Sequence, residues 1–234
     1  MRDPHADIPV LSSGAPLASA SAAVVLLHGR GATARDILTL ADALAVKDIA
    51  YLAPQAASVG YGPAWYPNSF LAPLAANEPY LSSALAAVGR SLATAIESGV
   101  PVERVVLAGF SQGACLASEF AARNARRYGG LVALSGGLIG NGEMRGVDPP
   151  ADKTFDYPGD LKGTPVFLGC SDRDAHIPAS RVEKTASVLR DLGGAVDIRI
   201  YEGMGHTVND DELGAFRDLL KRVTAASAET SGSA

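Results

Sequence analysis

The sequence has little of several features that point to particular classes of protein. It has only two cysteines, Cys115 and Cys170, and no C-x-x-C pair or Cys/His cluster, which argues against a disulfide framework or a zinc site. Acidic residues outnumber basic ones by 25 to 20, so the basic excess typical of nucleic-acid-binding proteins is missing. The longest apolar run, 22–27, is far shorter than the roughly 20 residues that span a bilayer. We therefore predict no metal, no nucleic-acid partner and no integral membrane segment.

The N-terminal region also lacks the features of a secretory signal. Residues 1–20 contain acidic residues and prolines, among them Asp3, Pro4, Asp7 and Pro9, where a signal peptide needs a basic stretch followed by an apolar one. The cytoplasm is the expected location.

The composition indicates a folded globular protein. Hydrophobic residues make up 47% of the 234 residues and charged residues only 19%, whereas disordered chains combine low hydrophobicity with high net charge. We predict an N-terminal extension over 1–20, one domain over 21–225, and a disordered tail over 226–234.

Apolar runs and amphipathic segments alternate along the domain. Strands are predicted at 22–27, 49–53, 104–108, 131–134, 165–168 and 196–201, and helices at 33–46, 78–98, 112–125, 180–192 and 211–225. This alternation predicts an α/β fold with a mainly parallel central sheet and helices on both of its faces. Two long loops, 55–77 and 138–163, interrupt the pattern. In such folds the chemistry lies beyond the carboxyl ends of the strands.

The most specific motif is a G-x-S-x-G sequence between a predicted strand and a predicted helix. It reads Gly109-Phe110-Ser111-Gln112-Gly113. A serine on such a strained turn projects its hydroxyl above the sheet, and the glycines leave room for the sharp backbone path. Ser111 is therefore the candidate nucleophile.

A serine nucleophile needs a base and an acid, which follow it along the chain in this architecture. Two histidines do so, and His206, which follows Gly203 and Gly205 on its own loop, is preferred to His176. The latter lies only two residues after Asp174, whereas a triad acid and base normally come from separate loops. Asp172 and Asp174 both follow the strand at 165–168, and the residues alone leave the choice between them open.

The turn after the first apolar run, His28-Gly29-Arg30-Gly31, is the candidate second half of an oxyanion hole. The backbone N–H groups of Arg30 and Gln112 are expected to donate to the developing negative charge. The overlapping segment from Gly29 to Ala34 also matches the dinucleotide fingerprint G-x-G-x-x-A. No acidic residue follows the second strand to bind a ribose, so this alternative is disfavoured.

These motifs together resemble the phospholipase/carboxylesterase family of the α/β-hydrolase superfamily, which includes acyl-protein thioesterases. The matching segments are 27–31, 64–66, 109–113, 174–178 and 203–206, in family order over about residues 22–222. The resemblance implies a single-domain α/β-hydrolase fold with Ser111 as nucleophile, His206 as base and Asp174 as acid. It also implies Arg30 and Gln112 as oxyanion donors. One departure is Arg30, where the family often has leucine.

The expected activity is hydrolysis of carboxylic esters, including lysophospholipids or thioesters, through an acyl-enzyme and without a metal or organic cofactor. The substrate is expected to be a small ester or acyl molecule. Trp65, Tyr66, Phe70 and Leu71 are predicted to wall its acyl pocket. The alternatives are a dedicated acyl-protein thioesterase or lysophospholipase, and a catalytically silent binding protein on the same fold.

Overall fold

A sheet of seven strands lies at the centre of the computed structural model, which describes residues 3–60, 62–142 and 152–231. The sheet strands are β1 (Val10–Gly14), β2 (Ala22–Leu27), β3 (Ile49–Pro54), β6 (Val105–Phe110), β7 (Gly130–Leu134), β8 (Pro165–Ser171) and β9 (Ala195–Tyr201). A small separate hairpin is formed by β4 (Ser58–Val59) and β5 (Gly62–Pro63). The helices are α1 (Ala34–Leu44), α2 (Tyr80–Glu97), α3 (Gln112–Arg123), α4 (Ala179–Asp191) and α5 (Asp210–Ser231).

The strand order is β1-β3-β2-β6-β7-β8-β9, and the pairs from β3 to β9 are parallel. Alternate side chains of a strand point to opposite faces, and in β2 both sets are apolar. Ala23, Val25 and Leu27 belong to the apolar layer that includes residues of α2, α3 and α4, while the intervening residues belong to the layer that includes α1 and α5. A fully buried strand therefore has a continuous apolar sequence. This confirms the predicted α/β-hydrolase architecture.

Part of the segment over 1–20, predicted as an N-terminal extension, belongs to the sheet. Strand β1 pairs antiparallel with β3, with Val10 opposite Pro54 and Gly14 opposite Ala50. As an edge strand it is largely exposed, so its sequence, Val-Leu-Ser-Ser-Gly, has no clear apolar alternation from which a strand could be predicted.

The C-terminal helix is longer than predicted. Helix α5 continues to Ser231, into the segment from residue 226 that was expected to be a disordered tail; 232–234 lie outside the described residues. Alanine and glutamate have high helix propensity, so the backbone of 226–231 can continue the preceding helix.

No helix in the described part of the chain is both long and apolar enough to cross a membrane. Within the same residues, no group of three or more His, Cys, Asp or Glu side chains is arranged to hold a metal ion. Both cysteines are buried free thiols.

Candidate active site

Ser111 lies on a sharp turn between β6 and α3. Its backbone has φ 55° and ψ −121°, a conformation that is strained for a residue with a side chain. The flanking glycines permit the turn, since a Cβ on Gly109 would lie 2.5 Å from the carbonyl carbon of Gly113 and one on Gly113 would overlap the carbonyl oxygen of Leu27. The predicted strand, turn and helix are all present.

The hydroxyl of Ser111 begins a chain of hydrogen bonds through three side chains. Its Oγ lies 2.8 Å from Nε2 of His206, and Nδ1 of the same ring lies 2.6 Å from Oδ2 of Asp174. The three residues follow β6, β9 and β8, so the carboxyl edge of the parallel sheet brings them together. A proton on Nδ1, donated to the carboxylate, leaves Nε2 as the acceptor for the serine hydroxyl.

The side chain of Asp174 is buried and accepts several hydrogen bonds. Its side chain is 0% exposed, and Oδ1 accepts hydrogen bonds from the backbone N–H groups of His176 and Ile177. Burial alone would raise its pKa, but the hydrogen bonds from His206 and the two N–H groups outweigh burial and lower the pKa below its usual value. The carboxylate therefore stays ionised beside the imidazole.

Asp172 and His176, the alternative candidates for the acid and the base, lie outside this chain of hydrogen bonds. Asp172 is exposed, and its Oδ1 accepts a hydrogen bond of 2.7 Å from the N–H of Gly203, so it fixes the loop that carries His206. His176 is exposed, and its ring meets the ring of His206 edge-on with 4.9 Å between centroids.

The turn after β2 lies against the serine. A Cβ on Gly29 would lie 3.4 Å from Cβ of Ser111. Among the described residues, the N–H groups of Arg30 and Gln112 have no hydrogen-bond acceptor, which leaves both available to a ligand. Buried His28 fixes the turn, because its Nδ1 donates to the carbonyl of Gly29 and its Nε2 accepts from the N–H of Ala56. Burial lowers the pKa of His28, which favours this neutral form.

A cleft of about 460 Å³ opens above the serine. The residues that line it include Tyr66 and Phe70, from the loop between β5 and α2. They also include Phe110, next to Ser111, and His176 and Ile177, from the loop between β8 and α4. Cys115 lies at its base.

Trp65 and Leu71, expected in the same wall, do not line this cleft. Trp65 is 0% exposed, and its indole N–H donates to the carbonyl of His28, so it packs behind the wall. Leu71 packs against the core instead.

The side chains of Arg30 and Gln112 have contacts that the sequence did not predict. The guanidinium of Arg30 donates to the carbonyls of Tyr66, Pro67 and Asn68. The amide of Gln112 accepts from the N–H of Trp65 and donates to the carbonyl of Tyr66. The cleft wall is therefore held by the side chains of the same two residues that are the candidate oxyanion donors. No local pattern signals these contacts, because their partners are backbone atoms about 36 to 47 positions away.

Comparison with known proteins finds similar chains of known structure and similar curated proteins. The chain is similar to a phospholipase/carboxylesterase of known structure from Dyadobacter fermentans, with 42% identity and a TM-score of 0.81 over 92% of this chain and 97% of that one. It is 30% identical over 127 residues to acyl-protein thioesterase 1 of Gibberella zeae, which covers 54% of this chain and 51% of the relative. A probable carboxylesterase of Arabidopsis thaliana, SOBER1-like, is 25% identical over 89% of this chain and 81% of its own length.

The aligned part of this chain spans about half the length of the first two curated relatives, both named acyl-protein thioesterase 1. The sequence pattern described as phospholipase/carboxylesterase, by contrast, matches residues 14–224. It begins within β1 and ends within α5, so it includes every strand that carries a residue of the site. The chain belongs to the phospholipase/carboxylesterase family of α/β-hydrolases.

Proposed function

We propose that this protein hydrolyses carboxylic esters through a covalent acyl-enzyme on Ser111. The observation that carries the proposal is the continuous hydrogen-bonded chain Asp174–His206–Ser111 at the base of an open cleft. Such a chain supplies a nucleophile, a base and a group that orients the base.

In the first half of the reaction, Oγ of Ser111 forms a bond to the carbonyl carbon while its proton moves to Nε2 of His206. The carbonyl oxygen becomes an oxyanion, and the N–H groups of Arg30 and Gln112 donate to it. As the bond to the leaving alcohol breaks, the imidazolium returns its proton to the alcohol oxygen. Asp174 stabilises the imidazolium and stays ionised throughout.

In the second half, His206 takes a proton from a water molecule as the water oxygen attacks the acyl carbon. The bond to Oγ of Ser111 then breaks, and the proton returns to the serine. The products are a carboxylic acid and the free enzyme, so no redox step or cofactor is needed.

Thioesters are a second candidate substrate class, because curated relatives are named acyl-protein thioesterase. The same steps apply with a thiol as the leaving group. Comparison of kcat/KM for an oxygen ester and a thioester with the same acyl chain distinguishes the two activities. We further propose a reducing compartment such as the cytoplasm, which agrees with the two free thiols.

The proposal is tested with 4-nitrophenyl esters of graded acyl length. The wild type should release nitrophenol, and Ser111→Ala should lose at least about 10⁴-fold in kcat. Ser82→Ala, which removes an exposed hydroxyl on α2, is the matched control. A fluorophosphonate should phosphonylate Oγ of Ser111 alone, with loss of fluoride, and mass spectrometry locates the added phosphonyl group. Turnover that survives in Ser111→Ala refutes the mechanism, and a wild type inactive on every ester and thioester favours a binding protein.

A further inference from the structure

The guanidinium of Arg30 has a fixed position beside the cleft. One of its terminal nitrogens donates to the carbonyl of Pro67, and the other donates to the carbonyls of Tyr66 and Asn68. These bonds use three of the five N–H donors of the group. The side chain is nevertheless exposed and belongs to the cleft lining. A cation is therefore held rigidly at the place where substrate binds.

The charge of Arg30 has no counter-ion among the described residues. Its partners are neutral carbonyls, and no carboxylate in that part of the chain forms an ion pair with it. None of the lining residues is acidic. An exposed cation in a cleft without acidic groups attracts anionic ligands, and this attraction weakens as the ionic strength rises.

The position of Arg30 indicates which part of the substrate it meets. In the sheet, β2 lies on one side of β6, and β8 and β9 lie on the other. Because His206 must protonate the leaving group, the leaving group lies towards β8 and β9. The acyl part is then directed to the β2 side, where Arg30, Tyr66 and Phe70 form the wall.

We infer that the preferred substrates are esters whose acyl part carries a carboxylate, which binds to Arg30. The inference rests on the proposed ester hydrolysis and adds a substrate class to it. The carboxylate accepts hydrogen bonds from the remaining N–H groups of the guanidinium, while the ester carbonyl lies between Ser111 and the oxyanion donors. Phe70, which lines the cleft, contacts the intervening methylene groups.

The test compares mono-4-nitrophenyl adipate with 4-nitrophenyl methyl adipate, which has the same chain but no charge. The measured quantity is the ratio of kcat/KM for the acid to that for the methyl ester, with spontaneous hydrolysis subtracted. The wild-type ratio should exceed one and fall as sodium chloride is added. In Arg30→Met the ratio should fall about tenfold, mainly through KM of the acid, since the charge-assisted hydrogen bonds to the carboxylate are lost. Arg30→Lys should give an intermediate ratio, because it keeps the charge without the three carbonyl contacts.

The matched control is Arg35→Met, which removes a unit charge from the exposed face of α1 and should leave the ratio unchanged. A wild-type ratio at or below one refutes the inference. So does an Arg30→Met variant that lowers kcat/KM for both esters by the same factor, since Arg30 would then only anchor the loop. If the wild type hydrolyses other 4-nitrophenyl esters but neither adipate, the inference is refuted while the proposed ester hydrolysis stands. If it hydrolyses no ester at all, both are refuted.

Discussion

Asp172 and Asp174 follow the same strand two positions apart, yet their carboxylates bind different partners. Asp174 is hydrogen-bonded to the ring of His206, whereas Asp172 accepts the backbone N–H of Gly203 in the loop that carries that histidine. The carboxylate of Asp174 therefore contacts the imidazole ring, whereas that of Asp172 contacts the backbone of the loop.

The first prediction concerns this difference. Asp174→Asn should lower kcat by about 10³- to 10⁴-fold, because an amide neither favours the required tautomer nor stabilises the imidazolium. Asp172→Asn should lower kcat less than tenfold, since the amide oxygen still accepts from Gly203. Steady-state kinetics on one 4-nitrophenyl ester measure both effects. Equal losses in the two variants would contradict the assignment of Asp174.

The second prediction concerns the tight approach of the elbow to β2. Gly113→Ala should destabilise the fold by more than about 3 kcal/mol, because the new Cβ would overlap the carbonyl oxygen of Leu27 and the backbone would have to move. Gly214→Ala is the control, since nothing lies within 4 Å of a Cβ at that site in α5 and alanine favours a helix. Urea unfolding followed by circular dichroism measures both variants. A Gly113→Ala variant as stable as the wild type would contradict this packing.

The core strands and the serine turn could be predicted from sequence because their signals are local. Apolar runs identify buried strands, and the G-x-S-x-G pattern around Ser111 is contained within five residues, although the need for Gly113 also comes from its close approach to Leu27. The choice between Asp172 and Asp174 is different, because it depends on the path of one loop, and no periodicity encodes that path. The family resemblance favoured Asp174, which is the residue in contact with His206.

Strand β1 and the burial of Trp65 were not predicted, because neither has a signal in the local sequence. Strand β1 is an exposed edge with two serines, so its sequence has no buried face to detect. Trp65 lies in an irregular loop, where sequence does not determine whether a ring points to the cleft or to the core. Its burial depends on the hydrogen bond to the carbonyl of His28, a contact between distant segments.

The third prediction concerns the two thiols. Burial raises the pKa of Cys115 and of Cys170 to about 12, and the thiolate is the reactive form. Neither should react with Ellman's reagent in the folded protein at pH 8, although Cys115 lies at the base of the cleft. Two thiols per chain should react once the protein is unfolded in guanidinium chloride. Rapid labelling of the folded protein at Cys115 would show that the cleft is deeper or more open than described.

The fourth prediction concerns Glu212, a buried carboxyl in the first turn of α5. Its Oε2 accepts the N–H of Asn209, and its Oε1 has no hydrogen-bond partner. Burial is the main cause that raises its pKa from an ordinary 4.5 to about 7. Between pH 4.5 and about pH 7, Glu212 is therefore protonated in the folded protein and ionised in the unfolded chain. The contribution of this group to the free energy of unfolding is lost as the pH rises from about 4.5 through about 7.

Glu212→Gln should remove this loss, since an amide of similar shape has no proton to release. Relative to the variant, the wild type should lose about 1 to 3 kcal/mol of unfolding free energy between pH 5 and pH 8. Asp210→Asn is the matched control, because it removes an exposed carboxylate from the same helical turn and should leave the pH dependence as in the wild type. Urea denaturation at a series of pH values measures all three proteins. Parallel pH profiles for the wild type and Glu212→Gln would mean that Glu212 is already ionised in the fold.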